Sequence, residues 1–175
     1  GELLERFRKR HHSYFRKAAQ GKDYQVHDRQ RGALCGLHAL KNLAEVNDLS
    51  EQEARALIQA RLTDVPSEDV LDRSGNFNAD AQLILADTLY DHSEIHYTDI
   101  VQTAQNVNIG SGFMMGNGGH WTAVRRKDDD VFIFHDSLKD TPVKINKDQV
   151  ARLMHDTQAQ AIITVGNRKA PQARL

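Results

Sequence analysis

At 175 residues and 39% hydrophobic content, the chain has the length of one domain and enough apolar mass to bury a core without disulfides. Its 23 basic and 24 acidic residues leave a net charge of -1, which withholds the positive excess that nucleic-acid binding favours and points to a protein or small-molecule partner. A single cysteine excludes an internal disulfide, and no apolar run reaches the ~18 residues of a membrane span or forms a signal-peptide h-region, a pattern that suits a reducing cytosol.

In chain order, residues 2-22 carry seven Lys/Arg against two Glu, with Leu3, Phe7, Tyr14 and Phe15 at helical spacing. This predicts a basic amphipathic helix, ended by Gly21 and docked on the domain beside it. Because the sequence opens on Gly1 and already reads as helix, it is expected to be a piece of something longer. From Cys35 to Ala44 the apolar positions Leu37, Leu40, Leu43 and Ala44 follow the 3.6 period, so a helix is expected to start close to Cys35. Ser50 with Glu53 three residues on is a capping box for a second helix through Leu62. A third helix follows Asn78 and carries Leu83, Ala86, Leu89 and Tyr90, while residues 63-77 between them read as loop or broken helix. Short apolar or alternating runs then predict strands at 95-97, 112-115, 121-125, 131-134, 143-145 and 161-165, interrupted by a helix capped at Asn146. Helices first and an antiparallel sheet second is an α+β arrangement. The expected organisation is an extension over 1-23, a catalytic domain over 24-167 and a loose tail over 168-175.

Four residues fit the jobs of a thiol-dependent hydrolase: a nucleophile, its base, a group that orients the base, and a donor for the oxyanion. Cys35 at a helix N-terminus would meet the positive end of the helix dipole and unsatisfied backbone N-H groups, both of which favour a thiolate. A lone cysteine is more often core filling. Gly32 and Gly36 shift the balance, because small residues beside the thiol let a substrate backbone approach. Gln30 has the chemistry to donate an amide N-H to an oxyanion. His120, in Gly118-Gly119-His120-Trp121, is the base candidate, since two glycines open space beside its ring. The other eight histidines lack that flank, and His92 and His96, four apart, bring no third ligand for a metal. Asp136 is the expected orienter, with His135 and Asp140 as competitors. The strands around residues 127-130 should form a hairpin in which 120 and 136 face each other about a turn centred on Asp128. That pairing requires an odd-length loop or a bulge, because a plain four-residue loop would send the two side chains to opposite faces.

The stretch from His27 to Leu43 (HDRQRGALCGLHALKNL) looks like the catalytic-cysteine motif of the Josephin family. Ser74-Gly75-Asn76-Phe77 resembles that family's Ser-Gly-Asn-Met element, and Gly119 to Arg125 resembles its His-Trp-x-x-Val-Arg strand. His135-Asp136-Ser137-Leu138 falls where the family carries Asn-x-Asn-Ser-Leu or an Asp equivalent. The resemblance covers roughly residues 25-166 and implies a papain-like fold with an N-terminal helical half packed on a C-terminal sheet. It further implies Cys35 as nucleophile, His120 as general base, Asp136 as orienter, Gln30 in the oxyanion hole, and a deubiquitinating activity on ubiquitin or polyubiquitin. Such an enzyme is expected to be cytoplasmic and monomeric, with no cofactor, metal, nucleic acid or membrane. Whether its cytosol belongs to its own cell or to the host of a secreted bacterial effector is open. The basic helix of 2-22 and the short 63-77 segment depart from the family pattern. The same cysteine, histidine and acid order also serves proteases of ubiquitin-like modifiers, glutamine deamidases and transglutaminases. A non-catalytic ubiquitin-binding module, with Cys35 as core filling, is the reading from another class.

Overall fold

A computed structural model of the chain describes residues 35-46, 49-62, 78-97, 110-117, 120-139 and 141-169. The basic segment of residues 2-22, Gln30, the 63-77 segment, Asp140 and the end of the chain lie outside the described residues. Among those described are four helices, α1 (Cys35–Ala44), α2 (Glu51–Arg61), α3 (Ala79–Leu89) and α4 (Lys147–Asp156). They accompany strands β1 (Ser93–His96), β2 (Gly112–Asn117), β3 (His120–Asp128), β4 (Val131–His135), β5 (Val143–Ile145) and β6 (Ala161–Val165).

Local chemistry explains where the helices begin. The Ser50 side chain accepts from the Glu53 N-H at 3.1 Å while Glu53 reaches back to Ser50, so α2 starts on a complete capping box. Asn78 caps α3 by accepting from Ala81 N-H at 2.9 Å, and Asn146 with Gln149 forms a second capping box for α4. At its other end α1 closes in a Schellman arrangement: Val46 N-H returns to the Lys41 carbonyl at 2.9 Å, and Glu45 takes the left-handed position at φ 56°.

The strands form one antiparallel six-stranded sheet in the order β1-β6-β2-β3-β4-β5. Alternation of side chains splits its central strands between two cores. Met114, Trp121, Ala123, Ile163 and Val165 pack against α1, α2 and α3, while Phe113, Met115, Val124, Phe132 and Ile162 pack with Val150 and Met154 of α4. Covered on both faces, β2 is buried from Gly112 to Gly116 and β6 along its whole length, so neither shows the apolar-polar alternation of a strand with one wet face. Every residue of α1 is buried, including the polar His38, Lys41 and Asn42, so this helix runs through the middle of the first layer. The fold is therefore α+β of the papain-like kind, with the helical first half packed on the sheet of the second. At one end of the sheet Gly116 pairs with Trp121, and a Cβ on Gly116 would fall 2.9 Å from the indole, so glycine is what lets the ring lie across the strand.

Candidate active site

Cys35, His120 and Asp136 each stand at the end of an element. Cys35 is the first residue of α1, His120 the first of β3, and Asp136 follows the last residue of β4. Because β3 and α1 are packed in the same layer pair, the start of the strand meets the start of the helix at one end of the sheet. There the His120 and Cys35 side chains hydrogen-bond, and His120 Nε2 lies 3.0 Å from Asp136 Oδ1. The carboxylate oxygen can only accept, so Nε2-H is the donor, which leaves Nδ1 as the nitrogen for the thiol.

The hydrogen bond with Cys35 is the main cause that lifts the His120 pKa above its ordinary 6.5. Half-burial of the ring works against it, and the hydrogen bond and charge of Asp136 add to the rise. Asp136 is itself held. Its Oδ1 also accepts the Leu138 N-H at 3.0 Å and its carbonyl accepts from Lys139, so a tight turn immediately after β4 fixes the carboxylate. Cys35 is 4% exposed.

The register of the β3-β4 hairpin differs in one respect from the sequence-based expectation. Ala123 faces His135, Val124 faces Phe134 and Arg126 faces Phe132, so opposed residue numbers sum to 258 rather than 256. Continued one step, Thr122 stands opposite Asp136, and His120 reaches the carboxylate on the diagonal, a distance within reach of long side chains. The turn is two residues, Asp129 and Asp130, between Asp128 and Val131. Their sum of 259 would alone place His120 and Asp136 on opposite faces. A bulge between Arg126 and Asp128 inserts Lys127 as one unpaired residue and restores the even sum. Of the two expected alternatives, an odd-length loop or a bulge, the structure has the bulge, and the register is centred one residue later than expected, so His120 and Asp136 are diagonal rather than directly opposed.

Of the competing orienters, His135 is fully buried on the opposite side of β4 from Asp136, paired across from Ala123. Asp140 and Gln30 lie outside the described residues, as do Gly118 and Gly119. His92 and His96 sit on or beside β1, His96 Nε2 at 3.5 Å from Thr164. Among the described residues no group of three or more His, Cys, Asp or Glu is placed to hold a metal ion.

Two supporting contacts fall outside the expectations drawn from the sequence. Gln82 on α3 is fully buried, donates from Nε2 to the Gly36 carbonyl at 2.8 Å and touches Met114 Sδ at 3.3 Å. It thereby pins the first turn of α1 directly behind the cysteine. A Cβ on Gly36 would fall 2.8 Å from Gln82 Oε1, which is why the residue after the cysteine is glycine. A signal for Gln82 did exist: it shares a helical stripe with Leu85, Ala86 and Leu89, and a lone amide on an apolar stripe asks for a buried partner. The second contact is the ion pair of Arg125 with Glu45, 3.1 Å long, with side chains 8% and 1% exposed. It joins the far end of α1 to the far end of β3, the two elements that carry Cys35 and His120.

A cavity of about 230 Å³ opens beside His120 and Asp136, walled by Met115, Thr122, Phe134 and Ala159. Met115, Phe134 and Ala159 belong to the core on the α4 side of the sheet.

Against known proteins, the family model described as Josephin matches residues 30–165 of the chain. No curated protein matches it.

Proposed function

This chain belongs to the Josephin family, and on that premise we propose that it is a cysteine-dependent deubiquitinase, hydrolysing isopeptide or peptide bonds at the C-terminus of ubiquitin through a thioester. The observation that carries the reading is the doubly engaged imidazole of His120, bonded to the Cys35 side chain and, through Nε2, to Asp136 at 3.0 Å. In this reading the thiol proton passes to His120, and the raised basicity of the ring favours that transfer. Cys35 Sγ then attacks the carbonyl carbon of the ubiquitin C-terminus. The tetrahedral oxyanion faces the first backbone N-H groups of α1, with Gln30 proposed as the side-chain donor. Collapse of the intermediate breaks the C-N bond, and the departing lysine amine takes its proton from the imidazolium. The neutral imidazole next removes a proton from water, whose oxygen attacks the thioester. Cys35 leaves as thiolate with the imidazolium restored. Asp136 keeps the ring in one tautomer and orientation throughout.

The partner in this reading is ubiquitin or a ubiquitin chain, and the protein acts as a monomer without a cofactor. A ubiquitin bearing a C-terminal electrophile should form a covalent adduct with the wild-type protein at Cys35 and none with Cys35→Ala. If folded wild-type protein ignores this probe while iodoacetamide still alkylates Cys35, the ubiquitin assignment fails and the nucleophile assignment stands.

A further inference from the structure

The cavity of about 230 Å³ beside His120 and Asp136 is smaller than the ~300–1,000 Å³ of sites that enclose a whole small ligand, and it has room for one side chain. Its walls are largely apolar: Met115 and Ala159 are buried, and Phe134 packs with them in the core on the α4 side. The polar groups around these walls already bond within the protein. Asn117 Nδ2 donates to the Thr157 carbonyl, Thr157 Oγ1 donates to the Leu153 carbonyl at 2.7 Å, and the Gly116 carbonyl accepts the Gln160 N-H at 2.8 Å. What remains is a slot suited to an aliphatic chain.

Charge selects what that chain ends in. Among the described residues no Lys or Arg lines the cavity, and its ionisable residues are His120, Asp136 and Asp156. Asp136 Oδ1 is committed, accepting from His120 Nε2-H and from the Leu138 N-H, each at 3.0 Å. Asp156 is the last residue of α4, its side chain is 78% exposed, and His155 Nδ1 stands 3.5 Å from its Oδ1. A carboxylate at the carbonyl end of a helix concentrates negative potential there, which a cation can answer. An aliphatic stem with a cationic end is a Lys or Arg side chain. The reaction fixes which part of the substrate brings it. The departing amine takes its proton from His120, so the leaving side of the scissile bond lies against the ring that walls the cavity, while the acyl side is attached to Cys35 on α1.

We propose that this cavity is a subsite for the protein to which ubiquitin is joined. A Lys or Arg side chain next to the acceptor lysine lays its stem against Met115, Phe134 and Ala159 and brings its charge to Asp156. The subsite rests on the deubiquitinase reading. It is tested on the full chain with ubiquitin joined through its C-terminus to the lysine of short peptides that carry Arg, Leu or Glu beside that lysine. A C-terminal ubiquitin amide of a small fluorophore, which has no such neighbour, is the reference for each variant, so loss of folded enzyme cancels in the ratio. The kcat/KM should fall in the order Arg, Leu, Glu, with roughly tenfold between the first and the last. Asp156→Lys, which places a cation where a helix C-terminus favours one, should bring Glu above Arg. Ala159→Leu fills the slot and should bring the three rates together. Peptides cleaved at one rate whatever the neighbour, or the wild-type order kept in either variant, would overturn the subsite and leave the deubiquitinase reading standing. If wild-type protein processes neither the fluorophore amide nor the electrophile probe, the deubiquitinase reading falls and the subsite with it.

Discussion

The Glu45-Arg125 pair offers the sharpest test of how the two elements that carry Cys35 and His120 are held together. Its side chains are 1% and 8% exposed, so neither charge is screened by solvent. Glu45→Gln removes one charge with almost no change in volume and leaves the Arg125 guanidinium uncompensated. Breaking a buried pair from one side costs about 3–5 kcal/mol. At about 2–4 °C of Tm per kcal/mol for a chain of this size, Tm should fall by roughly 6–20 °C. Arg125→Met, which leaves the carboxylate alone beside Tyr90, should cost a similar amount. The double variant Glu45→Gln/Arg125→Met removes both charges and should recover much of the loss, giving a coupling of about 2 kcal/mol or more in a double-mutant cycle. Glu45 also sits at φ 56°, where glycine is the usual residue, so Glu45→Gly relieves about 1 kcal/mol of backbone strain and should be milder than Glu45→Gln. Urea unfolding followed by circular dichroism measures all four. Single variants that each lose less than about 1 kcal/mol would show the pair behaving like an exposed one and would refute the argument.

Other expectations follow from the site. His120→Gln should lower turnover of a ubiquitin conjugate by about 10²–10⁴-fold with the fold intact. Asp136→Asn should lower it less and shift the acidic limb of the pH-rate profile down, because the carboxylate raises the His120 pKa; an unmoved limb would count against the contact. Because the folded-state pKa of His120 lies above 6.5, the folded protein holds that proton more tightly than the unfolded chain. This stability is fully present below pH ~6.5 and is lost as pH rises through the raised value. Unfolding free energies of wild type and His120→Gln should therefore converge across that window, and parallel curves would contradict the sign. Gly36→Ala should cost about 1–3 kcal/mol by crowding Gln82 Oε1 at 2.8 Å, and adding Gln82→Ala should relieve most of it. If the second change brings no relief, the clash lies elsewhere.

The element boundaries were legible because their causes are local. Ser50 caps α2 through Glu53, and Asn146 caps α4 through Gln149, contacts three residues apart that any reading of the chain meets together. The alternation of β3 and the apolar run of β2 likewise show in the order of residues. The cysteine at the start of α1 follows from the same kind of pattern.

Pairing across the hairpin belongs to tertiary structure. Parity of the His120 and Asp136 faces was deducible as a requirement, but the turn at Asp129-Asp130 and the extra Lys127 are settled by how β3 and β4 seat their apolar faces on two cores at once. Gln82 meets Gly36 across 46 residues of chain, and Glu45 meets Arg125 only where α1 crosses β3. Sequence by itself determined which residues could form helices and strands and which side chains are candidates for the chemistry, since propensity, capping and side-chain type are properties of neighbours. Only the tertiary structure decided which nitrogen of His120 faces Asp136, which residue pins the turn behind Cys35, and that Arg125 meets Glu45. Those depend on distances between segments far apart in the chain, which the packing of α1 against the sheet sets.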